Sequence, residues 1–292
     1  MQLLSTDGPA LGLGRSTSFP FGQWQDDDPH RTVFFDEGEG EALVLVHGLG
    51  GNITHWELIA PSLAAHRRVL ALDLVGCGWS AKPPGPYTVR MLADHLLDFL
   101  QRREIQRATL LGHSLGAAVC ARAALKRPEL VQSLALICPV GLVPLPAWIR
   151  LSRRLVLNRR LLYPVFRYTA KQVLAGNFHR GPRRSENARW FVDSTGTDAA
   201  GGRNVRDLAR FTESIMADLS RVDLSGRLAE LRAPTLVLCG EHDRLTAPVL
   251  EQVASLPRAR RVLFPGAGHL PFVERPAAFI TQLNAFLSVP PA

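Results

Sequence analysis

Cysteine is scarce in this chain, with four in 292 residues and no C-x-x-C pair, which excludes a disulfide framework and the usual zinc-ligand spacings. Cys77, Cys120, Cys138 and Cys239 fall in a glycine-rich turn, a helical stretch and the ends of two apolar runs, so buried free thiols are expected. Long apolar runs are also missing. No unbroken apolar run reaches the roughly 18 to 20 residues that a bilayer span needs, so no membrane span is expected. The opening stretch MQLLSTDGPALGLGRSTSFPFG carries Asp7 where a secretory signal wants basic charge and has no sustained apolar core before Arg15. The expectation is a cytoplasmic protein with an N-terminal arm over residues 1–30. Acidic clusters are rare as well. The one dense run, Asp26 to Asp28, has no second cluster within sequence reach, so a solvated turn is expected there and no metal site.

Basic charge, by contrast, is plentiful: the formal net charge is +8 and the sequence pI about 10.0. That could attract nucleic acid. The pairs Arg153-Arg154, Arg159-Arg160 and Arg183-Arg184 are, however, interspersed with Leu, Val and Phe, as on the solvated faces of amphipathic helices. No nucleic-acid partner is expected.

From Thr32 onward, short apolar runs alternate with helical patterns, which predicts an α/β protein with a mostly parallel sheet flanked by helices. Strands are predicted over 42–46, 69–74, 108–111, 134–138, 235–239 and 261–264. Helices are predicted over 89–102, 114–126, 248–254 and 276–287. Residues 19–24 with 32–35 could add an antiparallel edge. The alternation breaks between about Val140 and Leu231, where the pattern turns helical and arginine-rich, too long for a simple crossover. The stretch STGTDAAGGRN within it, residues 194–204, reads as a loop or hinge.

The chemistry sits where strands end. The first predicted buried strand runs into VHGLGG, the third into GHSLG, the fifth into CGEHD and the sixth into PGAGH, and ligands usually bind along the carboxyl edge of a parallel sheet. Ser114 lies between two glycines at a strand-to-helix turn. One reading makes it a helix cap; the other makes it a nucleophile on a strained turn, which would need a base and an acid to orient that base. Glu241 and Asp243 both offer a carboxylate. The HGLGG loop is no phosphate-binding loop, because no Lys-Ser/Thr follows it.

With Gly112-His113-Ser114-Leu115-Gly116 as a G-x-S-x-G elbow and the order Ser, acid, His along the chain, the sequence resembles the α/β-hydrolase superfamily from roughly Thr32 to Leu287. DLVGCGWS is close to that family's D-x-P-G-x-G-x-S turn, although Val75 stands where proline is usual. The resemblance implies a core of residues 31–139 and 233–292 with a helical cap over 140–232. It implies Ser114 as nucleophile, His269 as base and Asp243 as acid, with Glu241 bracing its loop. His113 and His242 would pack, with His113 directed away from Ser114, and His47 would brace its loop. The backbone amides of Leu115 and of Leu49, with Gly50 next in line, would form the oxyanion hole.

Serine at the elbow argues for acyl chemistry. A carboxylesterase-like hydrolase of small or medium, largely apolar substrates is the leading reading, with no cofactor and no metal. The alternatives are a carbon–carbon bond hydrolase of dienol or β-diketone substrates, a cofactor-free perhydrolase, and a slow or non-hydrolytic ligand-binding homologue. In the cap, Trp148, Phe166, Phe191 and Phe211 are candidates for the substrate pocket, with Trp56 and Trp79 near the sheet edge. The partner would be a small-molecule ester or ketone; the oligomeric state has no signal in the sequence.

Overall fold

The computed structural model describes residues 31–143, 172, 174–179, 181–183, 185–200, 205–222, 224–243, 245–246 and 259–288. Among them lies a seven-stranded sheet: β1 (Phe34–Glu37), β2 (Ala42–Val46), β3 (Arg68–Leu72), β4 (Ala108–His113), β5 (Val131–Ile137), β6 (Thr235–Gly240) and β7 (Ala259–Phe264). Their spatial order is β1-β3-β2-β4-β5-β6-β7. Only β1 runs antiparallel, pairing Phe34 with Leu72 of β3. The central strands read as unbroken apolar runs because helices cover both faces; every residue of β4 and β6 is buried. The edge strand β7 instead exposes Arg260, Arg261 and Leu263, and charge on an open edge discourages pairing with another chain.

The described elements also include helices α1 (Ala60–Ala64), α2 (Val89–Arg102), α3 (Leu115–Lys126), α4 (Glu186–Ala200), α5 (Val205–Leu219), α6 (Pro271–Glu274) and α7 (Pro276–Leu287), with short 3-10 turns at Ile53–Trp56, Pro128–Leu130 and Ser225–Glu230. Thr88 starts α2 by accepting the Met91 N–H at 3.0 Å, and the buried stripe Leu92, Leu96 and Phe99 faces the sheet. In α3, Ala117, Ala118 and Ala121 let the helix lie close on the sheet, and all three are fully buried. No helix among the described residues is long and apolar enough to cross a membrane.

Helices α4 and α5 lie in sequence between β5 and β6, inside the segment expected to form a cap. Helix α5 is tied to the core at three points, one of them Arg210 Nη2–H donating to the Lys82 carbonyl at 3.1 Å. The Tyr87 N–H donates to Ser214 Oγ at 2.5 Å, and the Val89 N–H donates to Asp218 Oδ2 at 2.7 Å.

The predicted helices over 89–102 and 276–287 have the observed bounds, and the strand over 42–46 is β2. The strand predicted over 69–74 ends two residues earlier. There Asp73 N–H turns to the Val33 carbonyl and Leu74 N–H to the His47 ring, which takes the chain off the sheet. The strand predicted over 108–111 continues to His113, paired in register with Ile137. The hinge expected over 194–204 is a correction: α4 continues through Ala200, because a lone Gly196 costs a helix only about 1 kcal/mol. Residues 201–204 of that stretch, the arm over 1–30 and the helix predicted over 248–254 lie outside the described residues.

Candidate active site

Four loops meet at the carboxyl edge of the parallel strands. The loop after β2 brings His47 to Gly50, and the turn after β4 brings Ser114. The loop after β6 brings Asp243, and the one after β7 brings His269.

Ser114 sits at φ 53°, ψ −115°, a conformation that costs a non-glycine residue of order 1–3 kcal/mol and persists only where the surroundings enforce it. Two glycines show how they do so. A Cβ on Gly112 would lie 2.4 Å from the Gly116 carbonyl oxygen, and one on Gly116 would lie 2.2 Å from that of Val46. The turn is therefore pressed against itself and against β2. Ser114 makes no side-chain capping bond to α3, which removes the helix-cap reading. Its hydroxyl has no hydrogen-bond partner among the described residues, and such contacts often tighten only when substrate is bound.

His269 Nδ1–H donates to Asp243 Oδ2 at 2.9 Å. A carboxylate can only accept, so Nδ1 carries the proton and Nε2 of the neutral ring keeps its lone pair. Asp243 also accepts the Thr246 hydroxyl at 2.6 Å and the Leu245 N–H at 3.0 Å. Burial opposes its ionisation, but the bonds from His269 and Thr246 outweigh that penalty and lower its pKa to about 2. Glu241, the other carboxylate of this loop, is exposed and accepts the Gly266 N–H at 3.1 Å. The His269 loop is held from outside as well. Glu274 accepts the Gly268 N–H at 2.6 Å and the His179 N–H at 2.9 Å, and the His269 N–H donates to the Asn177 carbonyl at 2.8 Å.

His47 donates Nδ1–H to the Gly48 carbonyl at 2.8 Å and accepts the Leu74 N–H on Nε2 at 3.1 Å. Complete burial lowers its pKa to about 4, so it braces the loop as a neutral ring. The backbone N–H groups of Leu49 and Leu115 donate to no other described residue. Leu115 opens α3, whose amino end favours negative charge. His242 is exposed and stacks on His179 at 3.7 Å.

A cavity of about 240 Å³ opens over Ser114 and His269, walled by Leu49, Phe191, Leu174 and Leu208. Of the aromatic candidates, Phe191 lines it. Phe211 does not and is corrected: it packs on Tyr87 with ring centres 4.9 Å apart, in space that exists because Gly76 has no side chain. Trp56 is buried against Phe272 and Trp79 is partly exposed, both away from the cavity. Trp148 and Phe166 lie outside the described residues. His113 packs on Phe272 with ring centres 5.2 Å apart, donates Nε2–H to the His269 carbonyl at 3.0 Å, and borders the cavity. The lining by His55, Thr212 and Asn177 had no signal in the sequence, because nothing local marks which side of a turn or helix faces a distant loop.

Cys138, Asp243 and His269 are the one described group of three whose possible ligand atoms all lie within 4.8 Å of one another. The set fits a metal poorly. His269 Nδ1 is already a donor to Asp243, and burial pushes the Cys138 thiol up, away from the thiolate a metal needs. All four cysteines are buried free thiols.

Comparison with known proteins identifies the family. The family described as "alpha/beta hydrolase fold" matches residues 41–276. An uncharacterized protein of Mycobacterium tuberculosis (strain ATCC 25618 / H37Rv) is 30% identical over 291 residues, covering 94% of this chain and 83% of the relative. A 2-hydroxymuconate semialdehyde hydrolase of Pseudomonas sp. (strain CF600) is 36% identical over 115 residues, 38% of this chain and 41% of that one. Among solved structures, a hydrolase from Pseudomonas aeruginosa PA01 superposes with a TM-score of 0.77 at 29% identity, over 92% of this chain and 98% of that one.

Proposed function

Because this chain belongs to the alpha/beta hydrolase family, we propose that it is a serine hydrolase cleaving carboxylic esters of small or medium, largely apolar substrates through an acyl-enzyme. The observation that carries this reading is the meeting of a strained Ser114 with a carboxylate-oriented His269 on the wall of one largely apolar cavity.

Ser114 Oγ attacks the ester carbonyl while His269 Nε2 takes its proton, and the electron pair moves to the carbonyl oxygen. That oxyanion is met by the Leu49 and Leu115 amides, for which one donor is worth roughly 3–4 kcal/mol in comparable sites. Asp243, ionised well below neutral pH, stabilises the imidazolium that forms. The ring returns its proton to the leaving alkoxide, and water then attacks the acyl-enzyme by the same route. Residues 140–232 act as the cap, with Phe191 of α4 and Leu208 of α5 closing the pocket over the nucleophile.

The test is intact-protein mass spectrometry after a fluorophosphonate, beside a p-nitrophenyl ester chain-length series. One adduct on Ser114, ester turnover, and a fall of several orders of magnitude in Ser114→Ala are expected. An adduct without ester turnover would transfer the chemistry to carbon–carbon bond hydrolysis, which the semialdehyde hydrolase relative makes the natural second reading. No adduct, or full activity in the alanine variant, would end the proposal.

A further inference from the structure

A histidine on a loop serves as a base only while its backbone keeps the ring in one place, because a misplacement of about 1 Å can cost a reaction as much as a hundredfold. The His269 ring is tethered through Nδ1 to Asp243, and Nε2 has to face Ser114. The peptide groups on either side of it carry the remaining restraint. The His269 N–H donates to the Asn177 carbonyl at 2.8 Å, and the His269 carbonyl accepts Nε2–H of His113 at 3.0 Å. The Gly268 N–H donates to Glu274 Oε2 at 2.6 Å.

Glu274 is the charged member of that set. It ends α6, the short helix that follows the base, and its other oxygen, Oε1, accepts the His179 N–H at 2.9 Å. One carboxylate thus grips an amide of the histidine loop and an amide of the segment lying against it. The two pieces of backbone are pressed together at that point: a Cβ on Gly268 would lie 2.5 Å from the Asn177 carbonyl oxygen and 2.9 Å from the His179 nitrogen. Leu174 and Asn177 of the same segment line the cavity over Ser114, so the grip joins the base to the pocket wall. Burial raises the Glu274 pKa even though both amides and the Arg275 guanidinium pull the other way, so keeping a carboxylate here costs free energy that a solvated one would not lose.

We propose that Glu274 is a positioning residue for the reaction: by bridging the Gly268 and His179 amides it locks the general base to the pocket wall and keeps Nε2 over Ser114. This rests on the serine-hydrolase reading of the same site. Glutamine in its place keeps the size and one acceptor oxygen but turns an N–H towards the second amide, and aspartate keeps the charge but is one methylene too short to span both.

The experiment measures kcat and KM for p-nitrophenyl butyrate on the full chain, with kcat expressed per fluorophosphonate-reactive Ser114, so that unfolded protein does not enter the number. Glu274→Gln should lower kcat by roughly ten- to a hundredfold with KM within about threefold of the parent, the pattern of an interaction that serves the transition state. The rate constant for adduct formation on Ser114, which needs the same base, should fall in parallel and reads the inference where the substrate is not an ester. Glu274→Asp should lose a similar factor and carries the test if Glu274→Gln does not fold. Asn187→Ala, which cuts a different tie to α6, the bond from Nδ2 to the Val273 carbonyl at 3.2 Å, is the structural control and should keep kcat within about twofold. Parental rates in a folded Glu274→Gln, or an equal loss in Asn187→Ala, overturn the inference and leave the hydrolase reading standing. Parental rates in Glu274→Asp do the same, since charge and not the two-amide grip would then be the active feature. A parent that neither turns over ester nor takes an adduct on Ser114 overturns both.

Discussion

Replacing Gly116 by alanine tests whether the elbow is held by contact with β2. An added Cβ would lie 2.2 Å from the Val46 carbonyl oxygen and 2.6 Å from that of His47. The first contact is about 0.8 Å inside the 3.0 Å limit that real Cβ atoms respect. Both obstacles are backbone, and β2 is locked between β3 and β4, so no flexible side chain can swing away. Overpacking of a well-filled core typically costs 1–3 kcal/mol, and with rigid atoms on both sides we expect about 3 kcal/mol. For a domain of this size or somewhat smaller, each kcal/mol lowers Tm by roughly 2–4 °C, so the melting point should fall by roughly 6–12 °C. Gly226→Ala is the matched control, since its Cβ would meet nothing within 4 Å and its φ lies outside the left-handed region. It should be neutral or stabilise by about 0.4–1 kcal/mol through the unfolded chain. Thermal melts followed by circular dichroism decide the matter. A Gly116→Ala protein melting with the parent would refute the claim that β2 presses on the elbow.

Acid should weaken the fold well above the range of carboxylate titration. His47 and His55 are held neutral, with folded pKa values of about 4 and 3, below the roughly 6.5 of an unfolded histidine. The unfolded chain therefore binds protons first, so stability is constant above pH ~6.5 and falls as pH drops towards 4, by up to ~1.4 kcal/mol per unit for each ring. Asp243, lowered to about 2, contributes a stabilisation present above about pH 4 and lost only below it, outside that window. Urea midpoints at pH 7 and pH 5 check this, and equal midpoints would contradict it. Asp243→Asn should cut kcat by about 10⁴ while Ser114 stays in place, because an amide can present an N–H to the ring and favour the wrong tautomer. Ester kinetics read the loss, and a drop of less than tenfold would remove Asp243 from the mechanism.

Much of this molecule was legible in single stretches of its chain. The runs 42–46, 108–111 and 235–239 announce buried parallel strands by being short, uncharged and largely apolar, and 89–102 announces a helix by its spacing. These are local properties, decided by which side chains a short segment must bury. The same holds for the four loop texts and their order, which place Ser114, Asp243 and His269 along one carboxyl edge once a parallel sheet is accepted, at the ends of β4, β6 and β7.

Tertiary structure alone decided where side chains from distant segments meet. Glu241 and Asp243 stand two residues apart in one loop, and only the folded turn sends Asp243 to His269 and Glu241 to the Gly266 amide. Phe191 and Phe211 look alike as cap aromatics, yet the space over Gly76 draws Phe211 onto Tyr87 and leaves Phe191 at the cavity. His55 and Thr212 carry no motif and sit on elements far apart in sequence. Their shared place around one cavity follows from how α5 docks on the core, a packing outcome that no periodicity encodes.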